Sequence, residues 1–172
     1  MENDNWQVEQ CSPTQAAGGV LIDAQVARRG LAFALPAIVA ALDDPHVSGT
    51  ACLSIVVLDP ACTRTGGDAE PAVLWEYAIG RERWDADYAA FARVKALNAW
   101  RAWHEGECLL RRGVATLQAG GSLRGSAVLD GIVVAVSGAH PWYDEGIALT
   151  VAAWLRAAAL ERQHESLAKA RA

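Results

Sequence analysis

Paired cysteines are missing from this chain. Cys11, Cys52, Cys62 and Cys108 include no Cys-x-x-Cys pair, and no histidine stands at zinc-finger spacing from any of them. That spacing argues against a structural zinc site or a disulfide framework, and for reduced thiols with Cys52 as a small core residue. A basic excess is missing too. Lys and Arg number 15 against 20 Asp and Glu, a formal net charge of −5, and the sequence pI is near 5.3. Nucleic-acid backbones normally demand a basic face, so no nucleic-acid partner is expected. No uninterrupted apolar run reaches the about 18–20 residues of a membrane span. The opening Met1-Glu2-Asn3-Asp4-Asn5 has neither a basic nor an apolar segment. The expectation is a cytoplasmic protein with no membrane partner. A Gly-x-Ser-x-Gly elbow is also absent, which leaves a serine nucleophile without support.

What is present points to a packed domain. Hydrophobic residues make up 52% and charged residues 20% of the chain, a balance unlike that of disordered segments. At 172 residues it is long enough to bury a sizeable core. Residues 1–20 are polar, then small and glycine-containing, and read as a loose arm. Residues 21–165 read as one domain, and 166–172 as a charged, frayed tail.

Within the domain the periodicity changes several times. Val26, Leu31, Leu35, Ile38, Val39 and Leu42 recur at helical steps, with Gly30 and Pro36 as interruptions and Pro36 expected to bend or split the helix. Residues 51–58 are rich in β-branched side chains and end at Asp59-Pro60, as a buried strand would. A turn-rich connection over 60–71 leads to an alternating strand over 73–79, closed by Gly80. A second helix follows to about His104. Its apolar stripe is read as Trp84, Tyr88, Phe91, Val94 and Leu97, with Lys95 at the edge and Arg93 nearby. Residues 107–121 suit strand, helix or loop equally.

The closing third is the most informative stretch. Two short apolar runs, 127–129 and 132–136, flank Asp130-Gly131, the strongest short-range hairpin signal. A long helical pattern then starts at about Trp142, with Asp144 and Glu145 in its first turn, where carboxylates suit the helix dipole. The order helix, two strands, helix, two strands, helix describes an α+β fold. An antiparallel sheet of about four to five strands is packed by helices.

Three blocks resemble the haem-degrading-domain family. They are Arg93-Val94-Lys95-Ala96-Leu97-Asn98-Ala99 in the second helix, Gly120-Gly121, and Asp130-Gly131 followed by Val136-Ser137-Gly138 and Asp144. The first looks like the family's Lys-Ala-x-Thr-Ala motif with Asn98 in place of Thr. The match extends over roughly 22–160 in order and spacing, and is closest to the family's small cytoplasmic branch. Val134 and Ala135 stand where family members usually carry a glycine, and the larger side chains narrow any pocket there.

The resemblance implies a ligand, haem or another tetrapyrrole, in a cleft between the second helix and the Ser137–Asp144 loop. It also implies self-assembly into a homo-oligomer. His140 and His104 are then candidate haem ligands. Their alternatives are a loop residue before Pro141 and a favourable charge at a helix C-terminus. Lys95 or Arg93 would meet a propionate, or else lie on a solvated helix face, and Asn98 would line the cleft beside Lys95. Ser137 and Gly138 would offer backbone donors to an anion, or simply allow a tight turn. Of the seven tryptophans, Trp154 and Trp84 suit the core, while Trp100, Trp103 and Trp142 suit a self-association surface. An interaction protein using the fold only for assembly is the rival reading. An enzyme acting on a small carboxylate through Lys95 and Asp144 is a third.

Overall fold

The computed structural model describes residues 22–59, 71–104 and 124–171. The N-terminal arm, most of the 60–71 connection and the ambiguous 107–121 stretch lie outside the described residues, as do Trp6, Cys11, Cys62, Cys108 and Gly120-Gly121.

Helix α1, Ala24–Leu42, begins at Asp23, whose Oδ1 accepts the backbone N–H groups of Gln25 and Val26, each at 3.0 Å. This carboxylate cap satisfies two of the donors that a helix start leaves free. Burial raises the Asp23 pKa, but hydrogen bonds from Arg162 and the two amides outweigh it and hold the group below its ordinary value. Val26, Leu31, Ile38 and Leu42 are buried as their spacing predicts. Pro36 does not divide the helix. It sits on the exposed face beside Ala32, whose carbonyl loses its helical partner where water can replace it.

Strands β1 (Leu53–Leu58), β2 (Val73–Ile79), β3 (Ser126–Leu129) and β4 (Ile132–Ser137) form one antiparallel sheet in the order β2-β1-β4-β3. The Asp130-Gly131 hairpin is present, with φ of 52° and 80° at the two turn residues. Positive φ at both positions matches the twist of the flanking strands and explains the glycine.

Helices cover both faces of this sheet. Leu53, Ile55, Val57, Val134 and Val136 meet α1 and α3, the latter running Pro141–Arg171. Val56, Leu58, Val133 and Ala135 meet α2, Tyr88–His104. The two central strands are therefore buried on both sides, which is why they read as nearly unbroken apolar runs. The α+β class and the element order are those expected, with the helices divided between two layers around the sheet.

Three expectations are corrected here. The buried face of α2 is Ala92, Lys95, Ala96, Ala99 and Trp100, whereas Phe91 and Val94 are exposed at 52% and 48%. Alanines let the helix axis approach the sheet closely, and that closeness selects the face in place of side-chain size. Trp100 is accordingly core and not a self-association surface. Trp154, expected in the core, is 41% exposed and stacks on Phe33 with ring centroids 5.1 Å apart.

By length and composition α1 is apolar enough to cross a membrane. In this fold Val26, Leu31, Ala34, Ile38 and Leu42 belong to the core that α1 shares with α3 and the sheet.

Candidate functional site

A buried polar cluster sits where β4 runs out and α3 begins. Lys95 comes from the buried face of α2 and reaches across the end of the sheet. Its Nζ donates to Asp144 Oδ2 at 2.8 Å, to the Val136 carbonyl at 2.9 Å and, more loosely, to Ser137 Oγ at 3.4 Å. An ammonium has three donors, so these contacts use all of them. Lys95 is 7% exposed and Asp144 only 1%.

Asp144 serves two elements at once. While Oδ2 faces Lys95, Oδ1 accepts the backbone N–H of Ala139 at 3.0 Å. The loop between β4 and α3 is thereby tied back onto the first turn of α3. Burial pushes the Asp144 carboxyl above its ordinary pKa, and the Lys95 charge, the Lys95 hydrogen bond and the Ala139 N–H pull against that rise. His140 lies near enough to add its own downward pull.

Gly125 makes this closeness possible. It has a φ of +111°, and a Cβ there would fall 2.7 Å from both Asp144 Cβ and the Val136 carbonyl oxygen, and 2.9 Å from Lys95 Nζ. No side chain fits. Its own carbonyl accepts the Val136 N–H at 2.7 Å.

On the outer side of the loop the chemistry is different. Ser48 Oγ donates to the Gly138 carbonyl at 3.0 Å, and the His140 N–H donates to the Val47 carbonyl at 2.9 Å, which pins the loop to the segment after α1. The His140 ring is exposed and lies nearly parallel to Trp142, 11° apart with centroids at 5.1 Å. Tyr143 stands beside Trp142 at 6.2 Å. Pro141 at the first helical position fixes the turn that brings these rings together.

Sequence reasoning placed Lys95, Ser137, Gly138 and His140 in one region, and the fold brings them together. Gly138, half-buried with a φ of +136°, has no room for a side chain, since a Cβ on it would fall 2.4 Å from the Cys52 carbonyl oxygen. Ser137 is buried, with its hydroxyl on the Lys95 side. Asn98 is half-buried a turn further along α2. His104 ends α2, and its side chain lies outside the described residues. The Lys95–Asp144 pairing was the missed feature. Its signal was a lysine centred among alanines at 92, 96 and 99, a position only a paired charge can occupy.

The clasp and the ring shelf differ in what they can do. The clasp neutralises both its charges internally, and so holds α2, β4 and α3 together. The shelf offers an exposed imidazole and a flat aromatic surface. Among the described residues no group of three or more His, Cys, Asp or Glu side chains is placed to hold a metal ion. Comparison with protein families, with curated proteins and with solved structures finds no match for this chain.

Proposed function

We propose that this chain binds a small planar ligand, haem or another tetrapyrrole, at the His140–Trp142 shelf, and does so as a homo-oligomer. The observation that carries the reading is the exposed imidazole held parallel to an exposed indole, 5.1 Å between centroids, on a loop that the Lys95–Asp144 clasp makes rigid. The indole face would hold a flat π-system by stacking, or His140, turned out of the stack, would supply a nitrogen ligand to a haem iron. The clasp changes one detail of the expectation. Lys95 spends its charge on Asp144, so a propionate would find its counter-ion elsewhere.

Haemin titration by absorbance, with light scattering in parallel, tests both parts. A saturable Soret shift at one haem per chain is expected, lost in His140→Ala and kept in His104→Ala. A flat titration at micromolar haemin removes haem from the reading.

A second reading is an interaction protein that uses the fold only for assembly. Phe33 and Trp154 favour it, because they stack on the outer side of α1 and α3 while remaining 49% and 41% exposed. Large apolar surface of this kind commonly marks contact sites. An enzyme acting on a small carboxylate gains no support, since Lys95 and Asp144 occupy each other.

A further inference from the structure

Glycine weakens a helix interior more than any residue but proline, so a glycine inside a helix usually answers to close packing or to an unusual backbone. Gly30 of α1 answers to packing, because a Cβ there would fall 2.9 Å from the Leu155 Cα. Gly146 of α3 answers to neither. It lies within the helix and is not among the residues of positive φ. Among the described residues, no side chain and no neighbouring segment comes within 4 Å of where its Cβ would stand.

Its place on the helix is specific. Residue 146 follows Trp142 by four positions and Tyr143 by three. Side chains at these separations meet on a helix surface, because each leans over the turn N-terminal to its own Cα. A side chain at 146 would therefore lie against both rings, and glycine leaves that side of them bare. Trp142 and Tyr143 are 54% and 39% exposed, with ring centroids 6.2 Å apart and planes tilted by 54°. The flanking polar groups are held back. Thr150 Oγ1 donates to the Gly146 carbonyl at 2.8 Å, and Glu145 is drawn toward Arg124, 3.8 Å away. What remains is a notch with two aromatic rings beside it and bare backbone as its floor, next to the indole on which His140 stacks.

A flat π-system suits this shape. It can stack on a ring and bring its edge down onto the peptide backbone, where any side chain would hold it off. We propose that Gly146 is a specificity-determining position of the ring shelf: the planar ligand lies against Trp142 and Tyr143 with one edge over the bare turn at 146. The proposal rests on the ligand reading given above and adds the residue that admits the ligand.

Haemin titration by absorbance on the full chain, paired with thermal unfolding, gives the test. Gly146→Leu is expected to weaken haemin binding by about 10-fold or more, since one surplus methylene in a binding pocket already costs that much. The same variant should unfold about 2–4 °C higher, because leucine is the better helix former and has open space to enter. Gly146→Ala should fall between wild type and Gly146→Leu in both measurements. Ala157→Leu, three turns further along the exposed side of α3, should bind haemin as the wild type does. A wild type that does not bind haemin overturns the ligand reading and this proposal together. Binding that Gly146→Leu leaves intact, or that Ala157→Leu weakens equally, overturns the notch alone. Lower unfolding temperatures in both Gly146 variants also overturn it, since the glycine would then serve the fold.

Discussion

Lys95 shows how far a single side chain can be misread from its neighbours in sequence. Its ammonium is paired with a carboxylate 49 residues away, while its neighbour Val94 and Phe91 one turn earlier both turn outward. Breaking a buried pair by removing one partner leaves an uncompensated charge. Lys95→Met is therefore expected to cost about 3–5 kcal/mol at neutral pH, measured by guanidinium unfolding, and Asp144→Leu in the same chain should recover most of it. The pH dependence follows from the direction of the Asp144 shift. Burial already holds its folded pKa above the ordinary value, and loss of Lys95 moves it further up. The folded variant then binds more protons than the unfolded chain. Its stability is greatest below the unfolded carboxylate pKa and is lost as pH rises through the folded one. Lys95→Met should therefore be more stable at pH 5 than at pH 8, relative to wild type. Equal stabilities would contradict the buried pair.

At the scale of elements, the helix crossing between α1 and α3 depends on Gly30. A Cβ at that position would fall 2.9 Å from the backbone nitrogen and Cα of Leu155, so α3 passes directly over it. The glycine costs α1 some intrinsic helix stability, and close packing offsets that cost. Gly30→Val forces the helices apart and should destabilise the fold by about 1–3 kcal/mol, the usual cost of overpacking. Ala32→Val, two residues further on and on the exposed side, should stay within about 0.5 kcal/mol. Similar losses at both sites in urea unfolding would refute the crossing. In sequence, Gly30 is legible only as an interruption. The hairpin at Asp130-Gly131 was legible in full, because a two-residue turn is decided by the φ preferences of the residues in it.

For the whole molecule, the two central strands have helices on both faces and a strand on each side. Hydrogen exchange should be slowest at amides of β1 and β4, such as Val57 and Val134, and faster in the edge strands β2 and β3. Equal protection across the sheet would argue against this layering. The end of α3 provides a second reading in the same experiment. Residues after Glu161 continue the helix to Arg171 with nearly every side chain exposed, although their charged character suggested fraying. Their amides should exchange faster than those of Val151 and Leu155 on the buried part of the same helix.

Local sequence alone determined the α+β class, the order of elements, the hairpin and the strands that run apolar on both faces. Each depends on periodicity or backbone preference over a few neighbouring residues. Which face of α2 would be buried, which tryptophan would be core and which carboxylate would meet Lys95 were decided only in the tertiary structure. Those outcomes depend on the distance at which layers pack, and that distance is set by small residues from separate parts of the chain: the alanines of α2, Gly125 before β3, and Gly30 beneath α3.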